Sequence, residues 1–114
     1  MNKDTSELYN KILPKISEII NESSPRKIDS INTMDSSVFI AKDSTIIIYY
    51  TLPTIDKNKI SIKEFNYWMK KSSEKNQPDL SQYGNLKYYL ISVYYDKKGD
   101  IISRVKVEFP KNIN

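Results

Sequence analysis

Ser-x-x-Lys, the spacing that sets a nucleophilic hydroxyl one helical turn from an amine base in some acylating enzymes, occurs at Ser24 to Lys27 and at Ser72 to Lys75. A chain this rich in serine and lysine produces such matches by chance. Neither match has the companion motifs that the chemistry requires, so no catalytic residue is assigned. Two acidic pairs, Asp29 with Asp35 and Asp96 with Asp100, could suggest carboxylate chemistry or calcium. Asp96 and Asp100 bracket Lys97-Lys98-Gly99 and read as turn residues, without the full ligand set of a calcium loop. Cysteine and histidine are absent, which excludes disulfides, thiolate nucleophiles and zinc sites of the usual nitrogen and sulfur type. Acid–base work would fall to carboxylates, lysine or tyrosine. Two glycines cannot supply a phosphate-cradling loop. Asn21-Glu-Ser23 fits a glycosylation sequon, a triplet that arises freely. No metal or cofactor is expected.

The elements that must position any site come from 114 residues, 39% of them hydrophobic, enough for a single domain over 1–114 with one modest core. The net charge of +4 comes from 18 basic residues, mostly lysine, dispersed among 14 acids. Nucleic-acid binders usually cluster their positive charge, so nucleic acid is disfavoured as a partner. No apolar run approaches the ~20 residues of a membrane span, and no signal peptide is read at the N-terminus.

Periodicity predicts a helix over Asp4 to Glu22, with Leu8, Ile12, Ile16, Ile19 and Ile20 on one stripe and Asp4-Thr-Ser-Glu7 as a capping box. Pro14 lacks an N–H and should kink or divide that helix. Arg26 to Leu52 reads as two strands, a long and bulged first one through Ile28, Ile31, Val38 and Ile40, then TIIIYYTL from Thr45 to Leu52 after a turn at Lys42-Asp43-Ser44. Ser61-Ile-Lys-Glu64 opens a second helix whose Ile62, Phe65, Trp68, Met69 and Ser72 are spaced to pack on a sheet. Gln77-Pro78-Asp79 breaks it, and Gly84 ends a short helical turn. Strands Leu86 to Asp96 and Asp100 to Phe109 follow. The expected architecture is α+β: helix, β-hairpin, helix, β-hairpin, with a roughly four-stranded antiparallel sheet packed by the helices.

TIIIYYTL scarcely alternates apolar with polar, so something must cover both of its sides. Tyr49-Tyr50, Tyr88-Tyr89 and Tyr94-Tyr95 each send one ring to each face of a strand. In the final strand Ile101, Val105, Val107 and Phe109 share one parity, and Arg104, Lys106 and Glu108 the other. A three-residue loop with Gly99 in the left-handed region pairs Asp96 with Asp100, which puts Tyr95 opposite Ile101, Ile91 opposite Val105 and Tyr89 opposite Val107. That register places Tyr88, Leu90, Ser92 and Tyr94 on the outer face with Arg104, Lys106 and Glu108.

Tyr49-Tyr-Thr-Leu52, Asp56-Lys-Asn-Lys-Ile-Ser-Ile-Lys-Glu-Phe65 and Tyr94-Tyr-Asp-Lys-Lys-Gly-Asp-Ile-Ile102 together resemble a group of small bacterial proteins of uncharacterised function. Members often carry a signal or lipoprotein leader followed by a Leu-Pro element like Leu13-Pro14. The likeness runs loosely from Leu8 to Phe109, with Ser36 to Lys42 as an insertion, and rests on structural positions. It implies a periplasmic, envelope or secreted location and no particular activity.

The sequence therefore points to noncatalytic binding of another protein or peptide through the outer sheet face or a sheet edge, with Tyr88, Tyr94, Arg104 and Lys106 as contacts. An immunity or inhibitor protein and an envelope accessory protein are two versions of that reading. The alternative is a small ligand carrier or enzyme with a pocket between helix and sheet, using Tyr50, Tyr67, Trp68 or a buried carboxylate. A further alternative is a single-stranded nucleic-acid binder stacking bases on tyrosines, which Glu108, Asp96 and Asp100 disfavour.

Overall fold

The β-branched run Thr45–Thr51 forms the middle strand, β3, of a five-stranded sheet in a computed structural model that describes residues 2–28, 32–75 and 87–109, with side chains from Lys11 onward. Around it lie α1 (Asn2–Glu22), β1 (Arg26–Lys27), β2 (Thr33–Ile40), α2 (Ile62–Lys75), β4 (Tyr88–Tyr95) and β5 (Ile101–Phe109). The strands lie side by side in chain order. β1–β2, β2–β3 and β4–β5 pair antiparallel, whereas β3 and β4 run parallel. The class is α+β, but the expected four-stranded antiparallel sheet is corrected to a mixed one. The reason is topological: α2 connects β3 back to the same end of the sheet, and neighbours joined by such a crossover run parallel.

The expected long first strand is split. Arg26 pairs with Met34 and Lys27 with Thr33, making a small hairpin, and β2 then carries a bulge between Met34 and Ser36. Beyond β1, the open edge of β2 is closed by a side chain of α1. The Asn21 amide donates to the Ser37 carbonyl at 2.9 Å and accepts from the Ser37 N–H at 2.6 Å, so those edge groups are not left to pair with another chain. The buried Ser17 and Ser37 hydroxyls, 2.7 Å apart, hold the same junction.

α1 runs unbroken through Pro14, so the proline does not divide it. Its buried side follows Leu13 and Ser17, with Ile16 and Ile20 packed against the core, and Ile19 faces solvent. The Asp4 to Glu7 capping box and Leu8 fall where side chains are not described. Ser23 and Ser24 close the helix by donating to the Ile20 carbonyl, ahead of a cis Ser24–Pro25 bond. Ile31, Asp29 and the Gln77 to Gly84 break also lie outside the described residues.

α2 opens as expected, with the Ser61 hydroxyl accepting from the Glu64 N–H. Its packed face is narrower than the sequence stripe. Phe65 and Met69 pack on the core, and Asn66 bonds Ser103 of β5. Trp68 stands 63% exposed, edge-on to the ring of Tyr67. Trp68→Ala is accordingly expected to change unfolding free energy by no more than about 0.5 kcal/mol in urea denaturation. Phe65→Ala, which removes the ring set edge-on against Tyr94, should cost about 1–3 kcal/mol in the same measurement.

The β4–β5 turn begins as the sequence dictates. Gly99 has φ +82°, the Asp96 N–H donates to the Asp100 carbonyl, and Tyr95 lies opposite Ile101. One residue later β5 carries a bulge, and Tyr94 lies opposite Ser103. The extra residue, Ile102, reverses parity for the rest of the hairpin. Ser92 therefore meets Val105, Leu90 meets Val107 and Tyr88 meets Phe109 on the helix-covered face. The expected pairings of Ile91 with Val105 and Tyr89 with Val107 are replaced by Ile91 with Lys106 and Tyr89 with Glu108.

Candidate functional site

The doublets do split across the sheet, with the reverse assignment in β4. Tyr88 and Tyr94 are 3% and 4% exposed beneath the helices, so neither is on the outer face with Arg104 and Lys106. The four predicted contacts are thus divided two and two. Arg104 and Lys106 remain solvent-facing on the outer side, where the Lys106 ammonium sits 4.5 Å from the Tyr89 ring centroid. Tyr49 and Tyr95 stack nearby at 6.5 Å. Val93 lies opposite Arg104, an apolar residue paired with a charged one. Val93 is nevertheless buried, and Arg104 and Lys106 line a shallow depression of about 350 Å³ together with Ile47 and Ile91. Long basic side chains can cover apolar surface with their stems while their charges stay in water.

The inner face holds the larger space. α1 packs against β2 and α2 against β5, which leaves β3 and the inner side of β4 as a floor between the two helices. A cleft of about 610 Å³ lies there, within the size range of small-molecule sites. Ile16 and Ile20 form the α1 wall, Met69, Ser72 and Ser73 the α2 wall, and Ile46, Ile48, Tyr50 and Leu52 the β3 part of the floor. Tyr88, Leu90 and Tyr94 complete the floor from β4. Tyr50, named from sequence for a helix–sheet pocket, is in place. Tyr67 and Trp68 are exposed and outside the lining. Asp96, a buried carboxylate, also lies outside it.

Among the described lining residues the polar side-chain groups are hydroxyls and one amide. Tyr50 and Tyr94 stack at 5.0 Å, the Ser92 side chain interacts with both hydroxyls, and Ser73 of α2 reaches Tyr94. Burial pushes the Tyr50 hydroxyl up to about 12, helped by its neighbour Tyr94 and opposed by Ser92. Burial alone pushes Tyr88 up to about 12, and it raises Tyr94 against the pull of Ser92 and Ser73. All three phenols therefore stay protonated across the neutral range. Their stabilising contribution is complete below the ordinary tyrosine value and is lost as the pH climbs through the raised one. Among the described residues, the Tyr88 hydroxyl and the Asn32 Oδ1 atom are buried without a hydrogen-bond partner.

Residues 7–102 match a family described as a domain of unknown function, DUF8479. The chain belongs to that family. No curated protein matches it. In shape this DUF8479 domain is similar to a putative secreted protein from Pseudomonas aeruginosa, PA3611, with a TM-score of 0.63 over 90% of this chain and 91% of that one. The identity is 12%, so the likeness shows the fold alone. Both findings support the resemblance to an uncharacterised group. Among the described residues, no helix is long and apolar enough to cross a membrane.

The sequence did not single out Ile48 or Asn32, and it placed Leu90 and Ser92 on the opposite face of the sheet. Only the arrangement of two helices over one sheet brings them together.

Proposed function

We propose that this DUF8479 domain is a noncatalytic binder of a small apolar molecule, held in the cleft between α1, α2 and the sheet. The observation that carries the reading is the cleft itself, about 610 Å³ with walls mainly of isoleucine, leucine, methionine and tyrosine and with few convergent polar groups. Protonated phenols held well above neutral pH are poorly matched to general base work, which favours retention of a ligand over its conversion. Location outside the cytoplasm belongs to the same proposal, supported by the name of the Pseudomonas neighbour.

The test is equilibrium titration with N-phenyl-1-naphthylamine, an uncharged dye that brightens in apolar surroundings. Saturable binding is expected. Leu90→Trp and, separately, Ile20→Trp fill the cleft from the floor and from the α1 wall and should each weaken binding about tenfold or more while cooperative unfolding persists. Unchanged affinity in both folded variants would refute the assignment.

A second reading, contact with a protein or peptide, is favoured by the outer face, where Arg104 and Lys106 stand beside Tyr89 and the Tyr49–Tyr95 stack. Reversing both charges, Arg104→Glu with Lys106→Glu, should then abolish co-purification of a partner without affecting dye binding.

A further inference from the structure

Tyr88 begins β4 at the end of the sheet where Thr45 lies opposite Tyr89, and Asn32 immediately precedes β2 at the other end, where Thr33 lies opposite Thr51 and Thr51 opposite Tyr95. Six residue steps along β3, from Thr45 to Thr51, separate those ends, roughly 20 Å at 3.3 Å per residue. Both side chains line the cleft, and each carries a buried polar atom without a partner. A buried hydroxyl left unpaired is unfavourable, and a tyrosine this enclosed normally finds a partner. Ser92 and Ser73 serve Tyr50 and Tyr94, while none of the described residues serves Tyr88.

The charge inventory of the lining is equally informative. None of the described lining residues is Asp, Glu, Lys or Arg. An ion brought against these described residues would lose its hydration and gain no counter-charge from them. The cleft is long and apolar, and Tyr88 can exchange a hydrogen bond with a neutral oxygen.

We infer that the ligand is an uncharged single-chain amphiphile of the fatty-alcohol type, whose oxygen completes the hydrogen bonding of the Tyr88 hydroxyl while its chain lies along β3 between the helices. This rests on the cleft being a binding site and goes further, to the chemical class that it selects. Asn32 offers an acceptor to a second hydroxyl at the far end, so diols and chain-terminal alcohols fit, and carboxylate ions do not.

The discriminating experiment is displacement of N-phenyl-1-naphthylamine at pH 8 by decan-1-ol or by decanoate, two probes of one chain length that differ in charge. On the wild-type chain decan-1-ol should displace the dye at about one tenth of the decanoate concentration or less. Tyr88→Phe removes only the hydroxyl. Measured against the variant's own dye affinity, it should weaken decan-1-ol about tenfold. Decanoate displacing the dye as well as decan-1-ol does, or Tyr88→Phe leaving decan-1-ol unaffected, would overturn the inference. If Tyr88→Phe does not fold, the ratio of the two probes on the wild-type chain decides. Failure of the dye to bind at all would instead overturn the cleft as a binding site, a separate outcome.

Discussion

Phe109→Ala is expected to lower the free energy of unfolding by about 3–5 kcal/mol, read from the urea midpoint at constant slope. The ring has no solvent exposure, and it ends β5 opposite Tyr88, with ring centroids 5.3 Å apart. A domain of this size has about 5–15 kcal/mol in total, so the loss is a large share of stability. Alanine leaves a void that neighbouring strands fill only partly, because Tyr88 is fixed in β4 and Val107 precedes in β5. The same void loosens Tyr88, so Phe109→Ala should also weaken ligand binding at that end of the cleft. A cost below about 1 kcal/mol would mean that this end of the hairpin is not packed as described.

Asp96→Asn is expected to have the second large effect, greatest at neutral pH and shrinking in acid. The Asp96 carboxylate accepts from the N–H groups of Lys98 and Asp100 through Oδ1, and of Lys57 through Oδ2, at 2.9–3.0 Å. It thereby ties the β4–β5 turn to the connection between β3 and α2, where the Lys97 N–H also donates to the Ile55 carbonyl. The Lys57 N–H and the other backbone donors, with Lys98 nearby, hold the carboxyl below the ordinary aspartate value against the opposing effect of burial. A depressed native value means that the unfolded chain binds more protons as the pH falls. The stabilisation is present above the unfolded aspartate value near ~3.9 and is lost as the pH drops through the lower native one. An amide keeps one acceptor oxygen and puts an NH2 donor against the Lys57 N–H, so Asp96→Asn should lower the urea midpoint at pH 7. It should also flatten the fall in stability below about pH 4. Asp56, depressed mainly by the Asn58 N–H and also by Lys98, adds a dependence of the same sign that survives the substitution.

The order of elements could be read from residues because each has a local cause. Ser61 caps α2, Gly99 supplies the positive φ of the hairpin, and the tyrosine doublets divide between faces because strand side chains alternate. Which tyrosine goes inward could not be read. Ile101, Ile102 and Ser103 contain an apolar residue at either parity, so one bulge reverses Tyr88 and Tyr94 without any residue that announces it. The helical stripe misled for a related reason. Periodicity gives the direction of a buried face and not its width, so Trp68, at the margin, was grouped with Phe65 and Met69. The parallel pairing of β3 with β4 follows from the α2 crossover once those strands are neighbours, and adjacency is a tertiary fact. The cleft is further from local sequence still, since Ile16, Ile48, Met69 and Tyr88 share a lining only after folding.

The most direct test is methyl NMR of the labelled chain titrated with N-phenyl-1-naphthylamine, whose rings shift nearby resonances strongly. The account predicts saturable shifts at Ile16, Ile20, Ile48, Met69 and Leu90, with Val38 and Ile101 unmoved. Shifts confined to Ile47, Ile91 and Val93 on the outer face, or none at saturating dye, would contradict it.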